Sequence, residues 1–183
     1  MHNELVDIVI NAKPNPIHYA IVELEKLGKI IAIITQNVDA LHQRAGSGTY
    51  NNVPIYELHG SYEGLECIRC KKEFLFEEVE TKNVNYPICE CNGYIKPKVV
   101  LFGESLRPSV LERAMNVCKS CDCFMMIGSS LLISPVNFLP SIVKESGAKV
   151  LFVNRERTAM DDIADIFLKG SGGEILSELI QKL

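Results

Sequence analysis

A chain of 183 residues, 47% hydrophobic and 23% charged, can bury one sizeable core with room for a small insert. Its net charge of -4, without long like-charge runs, argues against a dedicated nucleic-acid or membrane-surface binder. No apolar stretch reaches the ~18 residues of a membrane span, and residues 1–11 lack the basic start and cleavage site of a signal peptide. A cytoplasmic setting with reduced thiols is therefore expected. Seven cysteines, an odd number in close spacings, argue for metal rather than a disulfide framework.

Residues 1–11 carry apolar side chains at helical spacing and read as a helix that Pro14-Asn15-Pro16 breaks. Pro16 suits the first position of a second helix, with Asn15 as its cap. Ile17, Ala20, Ile21, Leu24 and Leu27 give that helix an apolar stripe, and Gly28 ends it. His18 reads as a packing residue. The uncharged run 30–34 is β-branched, as a strand buried on both faces should be. It stops at Thr35-Gln36-Asn37, with Asp39 close behind.

A short helix over 39–46 follows, with His42 structural on it. A polar loop leads to a strand over 55–59 that closes on His59-Gly60. His59 is open to two readings: a lone histidine is more often structural than catalytic, and its place at a strand end beside a polar crevice brings the two readings level; Gly60 permits close backbone approach. Residues 61–97 are poor in apolar periodicity and hold four of the cysteines. A helix is expected over 107–120, a strand over 123–127 ending at Gly128-Ser129-Ser130, and a helix over 136–146. A strand over 150–153 ends at Asn154, and a short strand over 163–168 and a helix over 174–183 complete the chain. Strands alternating with helices, with polar residues where three strands end, give an α/β fold. Its sheet is Rossmann-like, doubly wound and parallel, with a ligand crevice at the carboxyl ends of the strands.

Several motifs in register carry a resemblance. T-Q-N-V-D-x-L-H-x-R-A-G, then E-L-H-G-S, Cys67-x-x-Cys70, K-P-K-V-V-L-F-G-E ending at Glu104, G-S-S-L from Gly128, and Val153-Asn154 are similar to the signature of the sirtuins, the NAD-dependent protein-lysine deacylases. The match runs in family order from Ala12 to Leu183. It implies a Rossmann-like NAD-binding domain over 1–60 and 98–183 with an inserted zinc-binding module over 61–97. It also implies that the family's first strand, with its G-A-G-x-S and P-D-F-R segments that close over NAD, is missing ahead of this sequence. A chain so truncated is expected to leave sheet edges unpaired, to fold poorly alone and to lack a pyrophosphate cradle. The Gly-rich run 170–173 reads as a connector rather than that cradle.

Cys67-x-x-Cys70 and Cys89-x-Cys91 can give Zn²⁺ four thiolates with no open position, a structural site. The second pair is one residue shorter than the family's usual C-x-x-C, so a degenerated site stays open as the other reading. Cys118, Cys121 and Cys123 invite a metal reading too, but small core residues fit better. The resemblance assigns Asn37 and Asp39 to the nicotinamide amide, and Gln36 to the adjoining ribose. It assigns Gly128, Ser129, Ser130 and Asn154 to the phosphate and adenosine side. His59 becomes the general base that deprotonates a ribose hydroxyl. The implied partner is an acyl-lysine protein or peptide, which pairs with an extended stretch over 100–104 ending in Gly103 and Glu104. Val100, Phe102 and Ile133 match the walls of the acyl-lysine tunnel, although each taken alone reads as core rather than tunnel. The implied products are free lysine, nicotinamide and an O-acyl-ADP-ribose. The alternative is a zinc-bearing binding module without catalysis.

Overall fold

The computed structural model describes residues 9, 11–79, 86–101 and 103–183. Phe102 and most of the expected first helix lie outside the described residues. Helix α1 spans Pro16–Lys26, and Asn15 Oδ1 accepts from the N–H groups of Ile17 and His18. His18 is buried, as a packing residue should be, and its Nδ1 also accepts the Asn15 N–H, closing a capping box. Strand β1 is Ile33–Thr35, later than the apolar run suggests, because Ile31 is 56% exposed. The five-residue helix α2, Leu41–Ala45, ends on left-handed Gly46. Strand β2, Ile55–Glu57, pairs parallel with β1.

Strands β3 (Gly60–Cys67), β4 (Glu73–Phe74) and β5 (Ile95–Val99) form an antiparallel sheet with β3 in the middle. Helix α3, Pro108–Ser120, starts at proline, which has no N–H to lose there. Strand β6 is Cys123–Ile127. A 3₁₀ turn over Val136–Phe138 precedes helix α4, Leu139–Glu145. Strands β7 (Lys149–Asn154) and β8 (Ile166–Lys169) pair parallel with β6 in the order β6-β7-β8. Helix α5 is Gly172–Gln181.

The parallel strands thus form two sheets, and no ladder joins β1 to β6 among the described residues. The two sheets nevertheless share the same helical layers. Ile34 and Tyr56 pack with Met126, Val150 and Phe152 against α3 and α4. Their strand neighbours Ile33 and Ile55 pack with Ile127 on the opposite side, against Ile17 and Ile21 of α1. Alternate residues of each strand feed alternate faces, as the pleat requires. Phe152 is fully buried at the centre of the larger cluster, and burying such a side chain stabilises by roughly 1.5–3 kcal/mol.

The Gly-rich run has a packing reason. A Cβ at Gly172 would lie 3.0 Å from both Ile127 and Ile17, and one at Gly173 would lie 3.2 Å from Pro16. Both glycines sit inside α5 and let it close on α1.

Candidate active site and metal centre

Three strand ends meet. At the end of β1, Thr35 Oγ1 accepts the Asn37 N–H at 3.0 Å and turns the chain out of the sheet. Past β6, Ser129 Oγ accepts the Leu131 N–H at 3.2 Å and faces Gln36 Nε2 at 3.5 Å. At the end of β7, Asn154 Nδ2 donates to the Ser129 carbonyl at 2.9 Å. Gln36, Ser129 and Asn154 are therefore joined, although 93 residues separate the first two. Gly128 takes a φ of +64 at the sharp turn, and buried Leu131 takes a φ of 54, a left-handed strain that an L side chain rarely bears. Asn37 and Ser130 are exposed beside this junction.

His59 is held on both sides. Its carbonyl accepts the Val100 N–H at 2.8 Å. Its Nδ1 lies 3.1 Å from the Gln36 carbonyl, which can only accept, so Nδ1 carries the proton and Nε2 keeps the lone pair. Gly60 must be glycine: its φ is +75, and a Cβ would fall 1.9 Å from the Lys98 carbonyl oxygen. The close approach expected of that glycine is present.

The 100–104 stretch is not extended as expected. Beyond β5 it closes into a turn, with the Glu104 N–H on the Leu101 carbonyl at 2.9 Å. Glu104 Oε2 accepts the Leu101 N–H at 3.0 Å and pairs with Lys96 at 2.9 Å, and these two contacts lower its pKa. Gly103, with φ at +88, makes the bend possible. The apolar spacing hid this turn; the carboxylate that clasps it was the available signal. Lys96 also reaches Glu66, which takes Arg107 at 2.8 Å, so the turn is tied to β3 and to the start of α3. Ile133 is 52% exposed and so is not core.

The sequence reading missed the surroundings of Asp39. Its Oδ1 accepts the Leu41 N–H at 3.0 Å across Ala40, a buried residue with a φ of 55. Burial lowers the pKa of His42 from 6.5 to about 4; His18 adds to this and Asp39 opposes it. An unfolded imidazole titrates near 6.5. Between those values the unfolded chain binds more protons, so the stability tied to His42 is full above the upper one and drains away as pH falls toward the lower. The effect is at most about 3.4 kcal/mol, at ~1.36 kcal/mol per unit of pKa. Thermal melts between these pH values should show it, and His42→Phe should flatten the decline. Equal declines in both proteins would refute the assignment.

The sulfurs of Cys67, Cys70, Cys89 and Cys91 all lie within 4.8 Å of one another. Cys67 and Cys91 are 3.5 Å apart, Cys70 and Cys89 3.7 Å. Four ligands at ~2.3 Å around tetrahedral zinc would stand roughly 3.8 Å apart, so the set fits the ion. Backbone N–H groups of Cys70 and Arg69 help pull the Cys67 thiol down to about 6, toward the thiolate a metal requires. The short Cys-x-Cys bite closes without distortion of the cluster because Cys89 and Asn92 form a tight turn, with the Asn92 N–H on the Cys89 carbonyl at 2.8 Å. Gly93 is a further necessary residue: a Cβ there would lie 2.6 Å from Cys67 Sγ and 3.3 Å from Cys91 Sγ. Gly93→Ala should cut zinc content sharply in metal analysis; full occupancy in that variant would contradict the crowding. The other three thiols are pushed up in pKa, Cys118 to about 12 by burial, and Cys121 Sγ donates to the Cys118 carbonyl. Cys118 and Cys121 pack in the main core, whereas Cys123 is exposed and is not the core residue expected of it.

Comparison with known proteins agrees with this geometry. The family model described as "Sir2 family" matches residues 2–135. The chain is 46% identical over 176 residues to NAD-dependent protein deacylase 2 of Archaeoglobus fulgidus, covering 94% of this chain and 68% of that protein. It superposes with a TM-score of 0.87 on Sir2 in complex with p53 peptide and NAD+, at 37% identity, covering 95% of this chain and 72% of that one. It superposes equally, at 0.87 and 36% identity with the same two coverages, on Sir2 bound to acetylated peptide. A crevice of three joined strand ends beside a tautomer-locked histidine and a four-thiol cluster, in a chain so similar in sequence and structure to these proteins, has one reading: the chain belongs to the Sir2 family.

Proposed function

We propose that this protein is an NAD-dependent protein-lysine deacylase whose general base is His59. The relatives' names support the activity. The observation that carries the assignment of His59 is its Nδ1–H on the Gln36 carbonyl, which leaves Nε2 as a free base beside the Gln36–Ser129–Asn154 junction. The residues fit NAD by their donor set. Ser129 and Asn154 are already locked to one another for the phosphate and adenosine side, with Gly128 leaving the turn open and Ser130 exposed beside it. Gln36 reaches from the nicotinamide end, and Asn37 and Asp39 bring an amide and a carboxylate for the carboxamide. When bound, NAD supplies the nicotinamide leaving group and the ribose carbon that receives the acyl oxygen. Nε2 of His59 takes the proton of a ribose hydroxyl. The 101–104 turn, with Val100, Gly103 and Glu104, borders the peptide path together with Ile133, and the peptide brings its acyl-lysine to His59. Zinc on Cys67, Cys70, Cys89 and Cys91 stiffens the β3–β5 module from which Val100 emerges.

In this reading a Rossmann-like body over 1–60 and 98–183 carries the crevice, 61–97 is the zinc module, and the protein works in the cytoplasm, where its thiols stay reduced. The alternative, a binding module without catalysis, is not favoured, because its close relatives are named as enzymes. The test is incubation with NAD and an acetyl-lysine peptide. The expected result is nicotinamide and an O-acetyl-ADP-ribose formed in step with free lysine. Deacetylation that proceeds without NAD would overturn it.

A further inference from the structure

The ammonium of Lys96, on β5, sits one peptide away from the backbone of His59. It donates to the Val99 carbonyl at 2.7 Å and to Glu104 Oε2 at 2.9 Å, and it pairs with Glu66 Oε1 at 3.6 Å. The Val99 carbonyl and the Val100 N–H belong to one peptide unit. That unit is held at both ends: its oxygen accepts from Lys96, and its N–H donates to the His59 carbonyl at 2.8 Å. Hydrogen bonds in such a chain polarise one another, so a cation on the carbonyl strengthens the N–H as a donor. The next N–H, that of Leu101, goes to Glu104 Oε2 at 3.0 Å, the same oxygen that binds Lys96. Val100 is thus bracketed by one ion pair. An ordinary surface pair contributes little, and Lys98–Glu73 on the same strand is of that kind, with the Glu73 side chain 59% exposed. Lys96 and Glu66 differ, at 15% and 13% exposed, and Glu66 also takes Arg107 at 2.8 Å. Charges so withdrawn from water carry a desolvation cost, which good geometry has to offset.

We propose that Lys96 is a positioning residue for His59: by fixing the Val99–Val100 peptide plane it sets the backbone of the histidine and, with it, the reach of Nε2 into the crevice. This rests on the assignment of His59 as general base given above. His59 has two tethers, the backbone bond to Val100 and the bond from Nδ1 to the Gln36 carbonyl at 3.1 Å. Lys96→Met keeps the length of the side chain but removes its charge and its donors. It strands neither carboxylate, since Glu66 keeps Arg107 and Glu104 keeps the Leu101 N–H. With the first tether slackened, the Nδ1 bond carries the ring, and both the tautomer and the placement of Nε2 loosen.

The test compares wild type, Lys96→Met, Lys96→Arg, His59→Ala and the double variant of Lys96→Met with His59→Ala, each as the full chain supplied with zinc and checked by thermal melt and metal analysis. Turnover is followed with NAD and an acetyl-lysine peptide. The tautomer of His59 is read from its imidazole nitrogen shifts by NMR at alkaline pH, where imidazole is neutral. Lys96→Met should lower kcat about tenfold, less than the ~10²-fold that misplacement by an ångström can cost. The peptide KM and the exchange of labelled nicotinamide should stay near wild type. The His59 nitrogen shifts should move from the Nδ1–H tautomer toward a mixture. Lys96→Arg, which keeps charge and donors, should restore most of both. In the His59→Ala background Lys96→Met should have no further effect on kcat, because the residue it positions is gone. A purely structural lysine would move the melt and leave the tautomer alone. Wild-type kcat and nitrogen shifts in folded Lys96→Met would overturn the proposal. So would a rise in KM alone, or an equal loss of kcat in the His59→Ala background. Wild-type turnover in His59→Ala would instead remove the general-base assignment, and this proposal with it. Should Lys96→Met fail to fold, Lys96→Gln is read by the same criteria.

Discussion

His59→Ala should lower deacylation by ~10²–10⁴, the usual worth of a positioned general base, while NAD affinity stays near that of wild type. The reason is geometric. His59 touches the rest of the crevice through its Nδ1 bond to the Gln36 carbonyl and through its own backbone, which holds Val100. Removing the ring deletes the base at Nε2 but leaves Ser129, Asn154 and the Gln36 side chain in place. Exchange of labelled nicotinamide into NAD needs nicotinamide to leave and return but does not need the later proton transfer to His59. His59→Ala should therefore keep more of its exchange than of its net deacylation. Asp39→Asn should behave oppositely: it keeps the shape, replaces an acceptor by a mixed donor and acceptor, and should impair exchange as strongly as turnover. The measurement is both reactions on both variants. If His59→Ala lost both because NAD no longer bound, His59 would be a structural residue and the general base would lie elsewhere.

That His59 could be singled out at all reflects what strand chemistry writes into a chain. Strand β6 was legible end to end, since Cys123–Ile127 is a continuous apolar run closed by a glycine. The polar ends of β1, β6 and β7 were legible for the same reason, and with them the crevice residues. Boundaries set by tertiary burial were not. Strand β1 starts at Ile33 because Ile31 faces solvent, and residues 101–104 turn because a carboxylate three residues on caps Leu101. The helix expected over 136–146 opens as a 3₁₀ turn after Pro135 and becomes α only at Leu139. Contacts between distant segments were invisible too: nothing local to Gln36 announces Ser129, and nothing local to Gly93 announces the Cys67 sulfur. Ala40 is a further instance, an ordinary residue forced into the left-handed region because Asp39 must cap α2 across it.

Removing the metal should unfold one part of the molecule and spare the other. One zinc per chain is expected, and either a strong chelator or Cys67→Ser should release it. Among its described residues the β3–β5 module has little else to hold it: Leu65, Cys67, Cys89, Pro97 and Val99 are buried, while Ile68, Leu75, Tyr86, Ile88 and Tyr94 are exposed. Two of these five buried side chains are metal ligands, and a module so poor in core relies on its ion for folding. In the main body Phe152, Val143, Val150 and Leu176 are fully buried without any help from metal, so β6–β8 should survive. Hydrogen exchange should accordingly show lost protection at the amides of Leu65, Cys67 and Ile95 with retained protection across β7. Deacylation should fall as well, because β5 leads into Val100, whose N–H holds the His59 carbonyl, and carries Lys96, which anchors Glu104. A metal-free protein with native protection in β3 and β5 would show that packing alone sustains the module. Loss of protection in β7 to the same degree would show that the two parts fold as one unit.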